Sequence, residues 1–91
     1  MTMPKALTIA GSDSSGGAGL QADLKTFQEL GVYGMTAITT IVAMDPHNRW
    51  AHQVFPVDLA TIEAQLETII VGVGVNALKT GMLPTMDIIE L

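Results

Sequence analysis

The groups best suited to binding a ligand lie in a glycine-rich segment near the N-terminus of this 91-residue sequence. Between Gly11 and Gly19 the chain holds only small and turn-forming residues, among them serines and one aspartate. Glycines let backbone N–H groups approach a polar or anionic ligand closely, above all where a strand leads into a helix. The segment therefore predicts a loop that binds a small ligand. The alternative is a flexible strand-to-helix turn that binds nothing.

Two nucleotide-binding motifs fit this segment poorly. A Walker A loop is excluded, because no Gly-Lys-[Ser/Thr] follows the glycines. The run from Gly17 to Ala22 matches the loose dinucleotide form G-x-G-x-x-A. However, the predicted strand ends well before Gly17, whereas the fingerprint places its first glycine directly after the strand. A nicotinamide or flavin site is therefore the weaker alternative.

Further candidates stand at the carboxyl ends of predicted strands, where open α/β sheets bind their ligands. Asp13 could bind a substrate hydroxyl or only cap the turn, and the residues alone do not separate these interpretations. Met44 and Met82 end two different strands, so they could frame a pocket for a flat ring, although methionines there are more often core filling. The strand ends supply Gly11, Asp13, Val42, Met44, Gly81 and Met82.

Four other polar residues have both a structural and a functional interpretation. Asp23 falls in the predicted first helix, where a solvated carboxylate in the first turn is favoured by the helix dipole. His47 and His52 are not spaced with other ligands, so we expect no metal site. Lys79 lies within a predicted strand, where it is either structural or able to reach an anion.

The elements that must position these residues follow from hydrophobic periodicity. Apolar runs predict strands over 6–10, 36–44 and 77–82, with a short flap strand over 50–55. Helical spacing predicts one helix from Leu20 to Leu30, ended by Gly31, and a second that follows Asp58 as its N-cap. A third helix is predicted to begin at Pro84. This order predicts an α/β fold with a parallel sheet.

The composition excludes several classes of protein. Hydrophobic residues make up 48% and charged residues 14%, which excludes a disordered tail. A net charge of −5 lacks the basic footprint of a protein that binds nucleic acid or an anionic membrane. The absence of cysteine excludes disulfides and thiolate metal sites within the sequence. No apolar run is long enough for a signal peptide or a membrane span, so we expect a cytoplasmic protein.

The mean hydropathy of +0.42 is high for so short a chain, because small domains bury a smaller share of their surface. Either a partner covers part of the surface, or the sequence is the first part of a longer protein. We favour the second interpretation, because the sequence stops at Leu91 within what reads as a helix.

The run ALTIAGSDSSGGAGLQADLKT, residues 6–26, closely resembles the hydroxymethylpyrimidine (phosphate) kinase branch of the ribokinase-like superfamily. Tyr33-Gly34 and the run KTGML at 79–83 match the same branch in order. Within it, IVAMDPHN at 41–48 and WAHQVFP at 50–56 look like the pyridoxine/pyridoxal kinases of Gram-positive bacteria. The resemblance implies a ribokinase-like three-layer α/β/α fold with a mostly parallel central sheet, of which residues 1–91 form only the N-terminal, substrate-binding part.

The resemblance also implies an activity: ATP-dependent phosphorylation of a hydroxymethyl group on a vitamin B6 or thiamin-precursor ring, with Mg²⁺, by a homodimer. It places the ATP site, the catalytic anion hole and a lid cysteine in the C-terminal part, so we expect no catalytic residue in this chain and no turnover from it alone. The substrate-binding positions it implies are Gly11, Asp13, Ala18, Asp23, Val42, Met44, His52 and Met82.

Met44 ranks the substrates. The pyrimidine kinases of this branch usually carry Gln or Glu at this position, where it hydrogen-bonds the aminopyrimidine edge. Met removes that contact, which favours pyridoxine, pyridoxal or pyridoxamine over hydroxymethylpyrimidine as the substrate. A non-enzymatic alternative is a ligand-binding or interaction module, should the natural chain end at Leu91.

Overall fold

The computed structural model describes residues 3–81, which form four strands and two helices. One helix follows the first strand, and the second follows a hairpin of two strands. A segment of π-helix continues the second helix without a break. In chain order the elements are β1 Lys5–Asp13, α1 Gly19–Glu29, β2 Tyr33–Asp45, β3 Ala51–Pro56, α2 Leu59–Glu67, the π-helical segment Thr68–Val73 and β4 Ala77–Thr80.

The four strands form one mixed sheet in the order β3-β2-β1-β4. β1 pairs in parallel with both β2 and β4, whereas β3 runs antiparallel to β2. The expected mostly parallel sheet is thus confirmed, and the predicted flap strand is its antiparallel edge. Because β1 has a strand on either side, its carboxyl end lies in the middle of the sheet edge where the glycine-rich segment begins.

The two faces of the sheet are covered by different helices, and successive side chains of each strand point to opposite faces. Leu7 of β1 is fully buried and packs with Ala37 and Ile69 on the face covered by α2 and the π-helical segment. On the other face, Gly34 lies so close to Leu24 and Phe27 of α1 that a Cβ there would come within 2.8 Å of Leu24. These contacts build the α/β/α layering.

β1 and β2 extend further than the apolar runs predict. β1 continues through Asp13, because Gly11 to Asp13 pair with Thr40 to Val42 after a register shift between Ala10 and Gly11. Apolarity does not reveal this extension, since backbone hydrogen bonds form regardless of side chain. β2 begins at Tyr33 rather than at Thr36, because Tyr33 pairs with Lys5.

The helix ends agree with the predicted caps. Gly31 follows α1 in the left-handed region (φ 71°), its N–H donates to Gln28, and Val32 N–H donates to Phe27, the pattern of a Schellman motif. Asp58 begins α2 by accepting hydrogen bonds from the Thr61 hydroxyl at 2.6 Å and the Thr61 N–H at 3.3 Å. Both hydrogen bonds lower the pKa of the Asp58 carboxyl below its ordinary value, and the bond from the Thr61 hydroxyl has the larger effect.

The second helix differs from the prediction in its last turns. The continuous helix expected up to Val73 widens into π-helix after Glu67, and it ends where Gly74 N–H donates to Ile69 C=O at 2.7 Å. Gly74 leaves this turn with φ 90°, a conformation that favours glycine.

The third predicted strand, 77–82, is shorter than expected: β4 ends at Thr80, and Gly81 lies outside it although its N–H donates to Ile9 C=O at 2.7 Å. Met82 and the helix predicted from Pro84 lie outside the described residues. Within 3–81, neither helix is long and apolar enough to cross a bilayer.

Candidate ligand pocket

A cavity of about 460 Å³ opens at the carboxyl end of β1, on the face covered by α1. Its walls come from all four strands, from the glycine-rich segment and from α1. Seven of the eight predicted site residues border it: Gly11, Asp13, Ala18, Asp23, Val42, Met44 and His52. The eighth, Met82, lies outside the described residues. The structure thus brings the described candidates to one place, while their role as substrate contacts stays a prediction.

Five further residues line the cavity: Ala10, Gly19 and Ala22, which were not candidates, and Gly81 and Lys79, which were named only as a strand-end residue and as a lysine able to reach an anion. The sequence could have predicted Gly19 and Ala22, because they share a helix face with Asp23 at the i, i+3, i+4 spacing. The place of Lys79 at the cavity depends on the pairing of β4 with β1, and hydrophobic periodicity does not predict that pairing.

Gly19 lets the glycine-rich segment close onto β1. It begins α1 with φ 61°, and a Cβ built on it would lie 2.5 Å from the carbonyl oxygen of Gly11. Both the conformation and the close approach require glycine at this position.

Asp13 organises the same segment. One carboxylate oxygen accepts hydrogen bonds from the Ser15 N–H at 2.9 Å and the Ser15 hydroxyl at 2.8 Å, and the other accepts from Ala18 N–H at 2.9 Å. The bonds from the Ser15 hydroxyl and N–H outweigh desolvation and lower the pKa of the Asp13 carboxyl. Asp13 therefore caps the turn and also borders the cavity, so its binding of a substrate hydroxyl stays a prediction.

Asp23 is not the solvated first-turn carboxylate that its helical position suggests. α1 begins at Gly19, which puts Asp23 in the second turn, and its side chain is only 13% exposed. One oxygen accepts a hydrogen bond from the Thr8 hydroxyl at 2.7 Å, and the other lies 2.6 Å from the Lys79 ammonium. Burial raises the pKa of the Asp23 carboxyl, but hydrogen bonds from Lys79 and Thr8 and the charge of Lys79 outweigh it, so the pKa is lowered.

The hairpin of β2 and β3 closes one side of the cavity. Met44 and His52 are paired across the two strands, so their side chains share a face. The connecting turn puts Arg49 (φ 52°) and Trp50 (φ 60°) in the left-handed region, which is unusual for two successive residues other than glycine. The histidine of the turn, His47, is not among the lining residues of the cavity.

Chemically, the cavity has an apolar wall and the partly buried carboxylate of Asp23. Val42 and Met44 offer an apolar surface to a flat ring, and Asp23 offers hydrogen-bond acceptors beside it. Within residues 3–81 no three His, Asp or Glu side chains are grouped so as to hold a metal ion.

Residues 13–91 match the sequence model of the phosphomethylpyrimidine kinase family. The chain belongs to this family. Over all 91 residues it is 77% identical to the pyridoxine kinase of Bacillus subtilis, of which it covers 34%. It is 50% identical over 90 residues to the hydroxymethylpyrimidine/phosphomethylpyrimidine kinase of the same organism, covering 99% of this chain and 32% of that protein.

The fold has a close counterpart among solved structures. An ADP complex of Bacillus subtilis pyridoxal kinase superposes with a TM-score of 0.96 at 76% identity, over 98% of this chain and 33% of that chain. The expected ribokinase-like fold is thereby confirmed for the part described. The chain spans about a third of the length of the relatives that it matches.

Proposed function

We propose that the full-length protein is an ATP-dependent kinase that phosphorylates the hydroxymethyl group of pyridoxine, pyridoxal or pyridoxamine. The observation that carries this proposal is the 77% identity to a pyridoxine kinase over the whole chain, against 50% to a pyrimidine kinase. Residues 1–91 would then be the N-terminal, substrate-binding part of a single kinase domain.

The pocket supports a ring substrate. Val42 and Met44 would contact the faces of the ring, together with Met82 as the resemblance implies, and His52 on the hairpin would approach its open side. Asp23 would accept a hydrogen bond from a donor on the ring, because an ionised carboxylate only accepts. Gly11 and Ala18 would let the hydroxymethyl group lie close to the backbone.

Phosphoryl transfer needs groups beyond those described. Catalysis of this reaction consists mainly of aligning the attacking oxygen and neutralising charge on the transferred group. We propose that the described residues form the substrate cavity and that ATP and Mg²⁺ bind to the rest of the protein, as the resemblance implies. The ADP bound to the Bacillus subtilis pyridoxal kinase supports a nucleotide co-substrate.

Coupled measurement of ADP release tests the proposal. The full-length protein should phosphorylate the three vitamin B6 forms with higher kcat/KM than hydroxymethylpyrimidine, since Met44 has no polar atom to pair with the aminopyrimidine edge. A clear preference for the pyrimidine would replace the proposal with the alternative that the family description and the second relative favour.

Two further expectations belong to the same proposal. Should the natural chain end at Leu91, binding of a vitamin B6 form without turnover would favour the ligand-binding module. We also propose a cytoplasmic homodimer, and light scattering that gives a monomer mass at micromolar concentration would contradict the dimer.

A further inference from the structure

Lys79 and Thr8 meet at the carboxylate of Asp23 because of the register between β4 and β1. Thr8 pairs with Lys79 in the parallel ladder, so both side chains lie on the face that α1 covers. Asp23 projects from α1 onto the same point, with Thr8 on one oxygen at 2.7 Å and Lys79 on the other at 2.6 Å.

The three groups differ in how they are exposed. Thr8 is fully buried and the Asp23 side chain is 13% exposed, whereas the Lys79 side chain is 57% exposed and itself lines the cavity. A partly exposed ion pair adds little stability, typically about 0.2–1 kcal/mol. Stability alone is therefore a weak reason for a lysine at this position.

The contacts leave Asp23 with unused acceptor capacity. A carboxylate has about four lone-pair sites, and Thr8 and Lys79 occupy one on each oxygen. The remaining sites belong to a side chain that borders the cavity. Because each oxygen is held from a different strand, the plane of the carboxylate is fixed before any ligand arrives, which lowers the entropy cost of binding.

We propose that Lys79 is a positioning residue of the pocket: with Thr8, it holds Asp23 in one orientation as an anionic acceptor for a hydrogen-bond donor on the ring substrate. The proposal rests on the proposed kinase function. Lys79 acts through Asp23 and does not itself contact the substrate.

The titratable groups around Asp23 define what a pH profile reports. Lys79 faces it from β4, and the uncharged Thr8 faces it from β1. Asp13 and His52 border the same cavity from β1 and β3. Replacing Lys79 with methionine removes the ammonium but keeps most of the aliphatic stem, so the other groups keep their places, and a residue-resolved titration of Asp23 separates its change from theirs.

The test uses the full-length protein with Lys79→Met, Lys79→Arg and Asp23→Asn, and Lys5→Met as a matched control. Lys5 donates to Val73 C=O at 2.8 Å at the amino end of β1, away from the cavity. We expect Lys79→Met to lower kcat/KM for pyridoxal roughly tenfold, the effect of one charge-assisted hydrogen bond, and to move the acid limb of the pH profile upward. Lys79→Arg should restore much of the loss, and Lys5→Met should leave the pH profile unchanged.

A double-mutant cycle separates positioning from direct contact. In the Asp23→Asn background, Lys79→Met should cause little further loss of kcat/KM. An equal loss in both backgrounds would overturn the proposal, because Lys79 would then act without Asp23. An unchanged pH profile in Lys79→Met would overturn it as well.

A second readout does not depend on activity. Carboxyl NMR of the full-length protein should show a higher pKa for Asp23 in Lys79→Met than in the wild type, and no rise would overturn the proposal. If the wild type phosphorylates none of the tested substrates, the proposed function fails, while the titration still decides whether Lys79 controls Asp23.

Discussion

The two carboxylates of the pocket are held by different kinds of donor. Asp13 is surrounded by backbone N–H groups and a hydroxyl of its own segment, so it shapes the loop. Asp23 is held by side chains that come from two strands, so it links the helix to the sheet. Removing the charge of Asp13 should therefore disturb the loop, whereas removing the charge of Asp23 should disturb the pocket.

Asp23→Asn should fold almost normally and lose activity. The amide keeps an oxygen to accept from Thr8, and the lost pairing with a half-exposed lysine costs at most about 1 kcal/mol. A hydrogen bond from substrate to a charged group is worth about 1.5–3 kcal/mol, so kcat/KM should fall roughly tenfold to a hundredfold. Thermal unfolding and steady-state kinetics of the full-length variant measure both. A variant that keeps the full kcat/KM would show that Asp23 makes no contact with the substrate that matters for activity.

At the scale of elements, the junction of β1 and α1 depends on Gly19. An alanine there would adopt a left-handed conformation, which costs about 1–2 kcal/mol, and would also press against the carbonyl of Gly11. Gly19→Ala should therefore lower the free energy of unfolding by at least that amount and weaken ligand binding.

Gly17→Ala is the matched control for the junction. Gly17 lies in the same segment, and a Cβ there would meet no atom within 4 Å. Its effect on the free energy of unfolding should stay within about 0.5 kcal/mol. Denaturant unfolding of both variants makes the comparison, and equal losses would contradict the account of the junction.

Gln65 of α2 forms hydrogen bonds with the backbone of β2 at the point where the pairing of β1 with β2 changes register. Its amide accepts from Ile38 N–H at 2.7 Å and donates to Ile38 C=O at 3.0 Å, beside the shift between the pairs of Ala10 and Gly11. Gln65→Leu would leave these two partly buried groups unpaired and should cost about 1–3 kcal/mol. Glu63→Gln, on the exposed side of the same helix, should change stability by less than about 0.5 kcal/mol. Similar unfolding curves for the two variants would refute the role of Gln65.

Local sequence patterns predicted the helices and strands well, because these patterns depend on residues that are close together in the chain. The Asp58 cap and the Gly31 stop depend on neighbouring residues, so the sequence alone predicts them. The extension of β1, the antiparallel pairing of β3 and the contact of Lys79 with Asp23 depend on which strands become neighbours. Hydrophobic periodicity carries no information on that choice. The predicted site residues followed from a family resemblance together with the rule on strand ends.

At the scale of the whole molecule, acid should weaken the fold through three carboxyls whose pKa values are lowered, Asp13, Asp23 and Asp58. A carboxyl with a lowered folded-state pKa stabilises the fold above its unfolded pKa, about 3.9, and loses that contribution as the pH falls through the folded value. Stability should therefore be flat near neutral pH in this respect and decline below about pH 4.

The variant Asp58→Asn tests the sign of this effect, because asparagine remains a good N-cap but does not titrate. Its deficit in free energy of unfolding relative to the wild type should be present at pH 6 and should shrink as the pH falls below about 4. Chemical denaturation across this pH range measures it. A deficit that grows as the pH falls would contradict the lowered pKa of the Asp58 carboxyl in the folded protein.

The central position of β1 has a consequence for the order of assembly during synthesis. Lys5 of β1 pairs with Tyr33, but Ala6 pairs with Ala77, so one edge of β1 is satisfied much earlier in the growing chain than the other. Domains are made N-terminus first, and contacts that close long loops form late. Until β4 emerges, β1 presents an open strand edge on which another chain can pair. The ion pair of Lys79 with Asp23 forms only when β4 docks, so the pocket acquires its electrostatic character in the same step that closes this edge to other nascent chains.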